Sequence, residues 1–219
     1  MTGSTARRVM ITGANRGIGL EMARQSAAMG DEVIACCRTP MEAAELMALA
    51  RETDRVSILG LDVRIERDMK PIAAGFGRAL DLLVCNAGVL SGRGGVQDPE
   101  QDSRAVEDTL MTNVAGVFFT ARHFLPHLLA GGEQRGTAPG KLAIISYRMV
   151  YAEDGFGLSP GAFLAAFGAA RQFKVDFIWL NDCASSLLPP TMSMSMLHVY
   201  TASMSPSLFE ETCVHTQIH

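Results

Sequence analysis

Residues 8–19 read RVMITGANRGIG: an apolar run of strand length, a turn carrying Gly13, Gly17 and Gly19, and the start of a helical pattern. Glycines at that spacing let the backbone turn tightly and come close to a bound anion. The free N–H groups and dipole of the following helix then favour a pyrophosphate there. An ordinary strand-to-helix turn also accommodates three glycines, so the surrounding pattern has to decide between the two readings.

That pattern repeats. EVIACCR (32–38), VSILGLDV (56–63), LDLLVCNAG (80–88) and KLAIIS (141–146) read as further strands ending in turns. Between them, IGLEMARQSAAMG, MEAAELMALARETD and RDMKPIAAGFGRA space Ala, Leu and Met as helices do, and a longer helical pattern spans 103–131. This alternation predicts the α/β class: a Rossmann-type doubly wound parallel sheet, three-layer α/β/α, in a single domain over 1–219. Residues 91–103 and 131–140 read as polar, glycine-rich excursions. Glycine disappears after Gly168, and Lys and Arg after Lys174, while Met and Ser become frequent. Within this divergent part, 175–219, the alternation in MSMSMLHVY (192–200) suits a strand.

A chain of 219 residues with 48% hydrophobic residues suits one core large enough to fold alone. A net charge of -4, with no run of Lys and Arg, argues against a nucleic-acid partner. The first apolar segment is too short for a secretory signal, and no apolar run reaches the length of a membrane span. Cys36, Cys37, Cys85, Cys183 and Cys213 are odd in number and lack metal-ligand spacing, which points to reduced thiols and a cytoplasmic protein. His123 and His127 are four apart on the long helix but have no third ligand nearby, so packing is expected and no metal.

The glycine turn, with its flanking strand and helix, resembles the short-chain dehydrogenase/reductase family, particularly its short bacterial C-factor-type members. Further matches fall in the family's order. Asp62 and Val63 follow the third strand, Asn86, Ala87 and Gly88 end the fourth, and Asn113 lies in the long helix. LHVYTAS (197–203) roughly occupies the place of the family's segment after the sixth strand. The resemblance is good over 8–147 and poor beyond. It implies a nicotinamide dinucleotide held by Gly13, Asn15, Arg16, Gly17, Ile18, Gly19, Arg38, Asp62, Val63, Asn86, Ala87, Gly88 and Asn113. A preference for NAD(H) usually needs an acid at the end of the second strand. This chain has Cys37 there, then Arg38, with Arg16 in the glycine loop, and guanidiniums can clamp a 2′-phosphate. NADP(H) is the expected cofactor and NAD(H) the alternative.

The resemblance also implies a Ser that polarises the substrate oxygen, a Tyr that passes the proton, and a Lys four residues on that tunes the Tyr. Tyr147, Tyr151 and Tyr200 never stand four residues before Lys70, Lys141 or Lys174. Matching ISYRM and FGAAR to the family puts Tyr147 at the serine position, Leu164 at the tyrosine and Gly168 at the lysine. Ser146, Tyr147 and Tyr151 are the candidate surrogates, with Lys174 approaching from the end of the following helix, and the two rings also suit simple plugging of a vacated cavity.

The segment SPGAFLAAFGAARQF (159–173) begins with a helix start signal and is then almost wholly small or apolar. With 103–131 it occupies the place of the family's dimer helices, which implies a homo-oligomer; burial within one chain would account for it equally. Three readings stay open. The chain is a weakly active NADP(H)-dependent oxidoreductase of a small carbonyl or alcohol, a non-catalytic sensor or oligomer partner, or a divergent or mis-framed version of an active enzyme.

Overall fold

The computed structural model describes residues 6–89, 98–135, 140–147, 177–183 and 196–202. Strand β1 (Arg8–Thr12) leads through the glycine turn into α1 (Gly17–Ala28). Then come β2 (Glu32–Cys37), a 3-10 turn (Pro40–Glu42), α2 (Ala44–Glu52), β3 (Val56–Gly60) and α3 (Glu66–Phe76). After β4 (Leu82–Cys85), α4 (Ser103–Leu110) runs through a π-helical turn (Met111–Ala115) into α5 (Gly116–Arg135). Strands β5 (Lys141–Tyr147), β6 (Phe177–Cys183) and β7 (Met196–Ala202) complete the sheet.

The strand order is β3-β2-β1-β4-β5-β6-β7. Successive strand residues face opposite sides of a sheet, and here both sides are apolar. Met10, Ile34, Cys36, Leu83 and Cys85 bury against α3 and α5 through Met69, Ala73, Phe124 and Leu128. Their chain neighbours Val9, Ile11, Val33, Ala35 and Val84 bury against α1 and α2 through Leu20, Ala23, Leu46 and Leu49. Helices on both faces give the three-layer α/β/α Rossmann arrangement that the alternation predicts.

The structure corrects the sequence reading in four places. β7 pairs antiparallel with β6, Phe177 opposite Ala202, so the sheet is parallel only through β6. The alternation of a strand reads the same in either direction, so the pattern in 192–200 does not fix how β7 pairs. Second, β6 has no counterpart in the sequence pattern, because its apolar run FIWL is too short for periodicity to separate strand from helix. Third, α5 continues to Arg135, past the expected break at Gly131. A Cβ on Gly131 would collide with the Leu80 carbonyl oxygen, so this glycine serves close packing rather than a turn. Fourth, residues 40–42 form a separate 3-10 turn ahead of α2.

The chain leaves β1 toward β2 and then returns to β4 on the other side of β1. The loops after β1 and β4 therefore diverge at the carboxyl end of the sheet. In open α/β sheets, this switch point is where ligands bind.

Candidate functional site

Thr12, the last residue of β1, is buried, and its hydroxyl accepts hydrogen bonds from the backbone N–H groups of Asn86 and Ala87, both at 3.0 Å. It in turn donates to the Val84 carbonyl at 3.4 Å. The Asn86 amide reaches back the other way, donating to the carbonyls of Thr12 (3.0 Å) and Gly13 (3.1 Å). Two loops far apart in sequence are thus locked together at the switch point. A Cβ at Gly19 would collide with the Gly13 carbonyl oxygen and stand 2.5 Å from the Asn86 Nδ2, so only glycine lets α1 start this close to the loop.

The exposed part of the loop is of another kind. Asn15, Arg16, Gly17 and Ile18 face solvent, and a Cβ at Gly17 would meet nothing within 4 Å. No side chain caps α1, and Arg16 stands at its N-cap. Bare backbone beside an uncapped helix start is what a pyrophosphate requires, and the residues present fit one.

Asn113 sits in the π-helical turn and clasps the loop after β4. Its Oδ1 accepts from the Val89 N–H at 2.9 Å and its Nδ2 donates to the Val89 carbonyl at 2.8 Å. This holds Gly88, which is exposed, next to the half-buried Ala87. Val63 is buried and packs toward Gly116, where a Cβ would stand 2.8 Å from its Cγ2.

A cavity of about 650 Å³ lies at the ends of β2 and β3, lined among others by Arg38, Gly60, Asp62, Arg64, Ile65 and Asp68. Arg38 is exposed and makes no salt bridge among the described residues. Its neighbour Cys37 is buried, and burial pushes that thiol up, as it pushes the Cys85 thiol up to about 12. A neutral buried thiol cannot accept the ribose hydrogen bonds that a carboxylate would. Asp62 accepts from the Arg64 backbone N–H at 3.0 Å and from its guanidinium at 2.8 to 3.3 Å. Burial works to raise the Asp62 pKa, but these bonds and the charges of Arg64 and Arg38 together hold it below the ordinary value of 3.8.

A folded value below the unfolded one contributes stability that is complete above the unfolded pKa and is lost as pH falls through the folded one. Asp62→Asn is therefore expected to flatten the decline of unfolding free energy below about pH 4, as followed by urea denaturation across acid pH. An acid limb as steep as in the unsubstituted protein would contradict this ion pair.

Thus Gly13, Gly17, Gly19, Asn86, Ala87, Gly88 and Asn113 meet at the switch point, Asn15, Arg16 and Ile18 rim it, and Arg38, Asp62 and Val63 lie at the adjacent strand ends. Sequence reasoning missed Thr12 and Arg64. A Thr directly before the first glycine and an Arg two residues after an Asp, the spacing of a local Asx-type bond, were the available signals. Ser146 and Tyr147 end β5, in register with Asn181 and Asp182 of β6. Tyr151, Leu164, Gly168 and the segment 159–173 lie outside the described residues. His123 Nε2 lies 3.0 Å from Glu66 Oε1, and the His127 ring nitrogens lie 2.9 and 3.0 Å from the carbonyls of Arg78 and Ala73. Among the described residues no cluster suits a metal ion, and no helix is long and apolar enough to cross a membrane.

The family model of the short chain dehydrogenases matches residues 7–139. The chain belongs to this family. The NADPH-dependent pterin aldehyde reductase of Arabidopsis thaliana is 28% identical over 169 residues, covering 76% of this chain and 64% of that one. Among solved structures, the NADPH-bound carbonyl reductase from chicken fatty liver is similar at 31% identity and a TM-score of 0.56, over 64% of this chain and 56% of that one. A carbonyl reductase from Pseudomonas aeruginosa PAO1 in complex with NADP shares the fold, with a TM-score of 0.63 at 24% identity over 83% and 84% of the two chains. The chain spans about three-fifths of the length of the curated relatives it matches, 64%, 58% and 60% of the first three.

Proposed function

We propose that this short-chain dehydrogenase binds NADP(H) in preference to NAD(H) and turns over carbonyl or alcohol substrates weakly or not at all. One observation carries the cofactor preference: β2 ends on a buried neutral thiol, Cys37, followed by an exposed guanidinium, Arg38, without a salt bridge among the described residues. Arg16, exposed at the start of α1, is a second cation at the carboxyl end of the sheet. The arrangement suits a 2′-phosphate and offers no carboxylate to a free ribose diol at that strand end. Bound there, the cofactor would supply a hydride. The weak turnover rests on the sequence, which places no Tyr four residues before a Lys and puts Tyr147, Leu164 and Gly168 at the three family positions.

A titration with NADPH and NADH, followed by an assay over a panel of small ketones and aldehydes, tests both halves. NADPH is expected to bind and carbonyl reduction to stay near background. Robust reduction would overturn the catalytic loss, and tighter binding of NADH would overturn the preference. Arg38→Glu is expected to weaken NADPH about 10- to 100-fold, the loss of charge-assisted hydrogen bonds to a phosphate, and to leave NADH within about threefold.

The second reading, a non-catalytic oligomer partner, is favoured by Val106 and Leu110, one turn apart on α4 and each 42% exposed. We assign association to 103–131 together with 159–173, and a cytoplasmic setting on the free buried thiols Cys36, Cys37 and Cys85.

A further inference from the structure

Strands β5, β6 and β7 pair mostly apolar residues. Ile144 stands opposite Trp179, and Trp179 opposite Tyr200; one step on, Ile145, Leu180 and Val199 form the next row. At the following step the character changes. Ser146 is the partner of Asn181, and Asn181 is the partner of His198. Among the described residues, no other row of these three strands is polar throughout. A strand end that is simply solvated would stay polar, yet the next row ends on Leu197 and the last pair joins Cys183 to Met196.

Register places the three residues on one face. Residues directly opposite one another share a face, and so do alternate residues along a strand. Ser146 is two residues past Ile144 and so lies on the face that carries Leu142 and Ile144, the side of α3 and α5. The row also stands at the carboxyl end of β5 and β6. The neighbouring strand β4 stops at Cys85, opposite Ile144, and the chain turns there into Asn86, Ala87 and Gly88 of the switch point.

A hydroxyl, a carboxamide and an imidazole each offer both a donor and an acceptor, and none carries a fixed charge. Such a row suits a neutral oxygen ligand rather than a carboxylate or a phosphate. Strands lie about 4.8 Å apart, which sets the Cα atoms of Ser146 and His198 about 10 Å apart with Asn181 between them. That span suits two oxygens a few bonds apart better than one. None of the three stands at the family positions held by Tyr147, Leu164 and Gly168.

We infer that Ser146, Asn181 and His198, aligned on one face by the register of β5, β6 and β7, form a polar subsite for a small hydroxycarbonyl compound. The inference rests on the proposed carbonyl or alcohol substrate and names its class. It requires neither bound cofactor nor turnover.

The test compares dissociation constants for hydroxyacetone and acetone, which differ by one hydroxyl, in NMR titrations of the full chain. Hydroxyacetone is expected to bind at least about fivefold tighter, the worth of one hydrogen bond. Ser146→Ala and His198→Phe are each expected to bring that ratio close to one. Asp182→Asn, one row on and on the opposite face, is expected to leave it unchanged. The histidine ring-proton signal that His198→Phe removes is expected to move on addition of hydroxyacetone. An unchanged ratio in Ser146→Ala and His198→Phe would overturn the subsite, as would a loss in Asp182→Asn as large as theirs. Should His198→Phe fail to fold, Ser146→Ala decides, since it deletes a single oxygen. Equal binding of the two ligands would overturn the inference and leave the carbonyl reading standing, whereas binding of neither would overturn that reading and the inference with it.

Discussion

Gly19→Ala is expected to destabilise the protein by about 3 kcal/mol, at the upper end of overpacking costs, and to abolish detectable nucleotide binding. The added methyl would have to displace either the Gly13 carbonyl oxygen or the Asn86 Nδ2, and both are held. Asn86 is fixed by its bonds to Thr12 and Gly13, and the Gly13 carbonyl belongs to the turn that those bonds close. Moving either one opens the lock between the loops after β1 and β4. Gly17→Ala provides the contrast. Its Cβ would meet no atom within 4 Å, so the cost there is only the left-handed backbone at φ 57°, about 1–2 kcal/mol. Urea unfolding midpoints of the two variants, together with NADPH titrations, separate close packing from backbone strain. Equal midpoint shifts would show that the approach of α1 to the loop is looser than the structure has it.

Phe124→Ala is the second large expected loss, about 3–5 kcal/mol. The ring is fully buried in the layer between the sheet and α3. It meets Phe76 edge-on at 5.7 Å between centroids and His127 at 5.8 Å. Removing it leaves a cavity whose lining is pinned, since His127 faces the carbonyls of Arg78 and Ala73 and cannot collapse inward. For a domain of ordinary stability, about 5–15 kcal/mol, this is a fifth or more of the total. Leu129→Ala, on the same helix but 37% exposed, should stay within about 0.5 kcal/mol. A loss below about 1 kcal/mol for Phe124→Ala in urea denaturation would mean that α5 is not seated on α3 as described.

Much of the fold was legible because its signals are local. A strand buried on both faces reads as a continuous apolar run, and β1, β2 and β4 do so. The glycine turn could be read because Gly13, Gly17 and Gly19 fall within a few residues of one another. The end of α5 could not, because Gly131 looks like a helix stop until Leu80 is seen against it. β6 escaped because FIWL followed by Asn181 and Asp182 carries no period of its own. The residues proposed to hold the cofactor were legible in kind but not in state. Asp62 reads as an acceptor, yet its engagement by Arg64, and that of Arg64 by Asp108, leaves no mark on the local pattern.

The sequence by itself determined the apolar strands β1 to β5, the helices between them, and that a bare glycine loop opens the first helix, because hydrophobic period and glycine placement act over a few neighbours. Only the tertiary structure decided that Thr12 is closed by Asn86, 74 residues away, and that Asp62 is clasped from α4 through Arg64. Those partners depend on the order of strands in the sheet. That order is fixed by how two apolar faces are covered at once, and no local stretch of the chain encodes it.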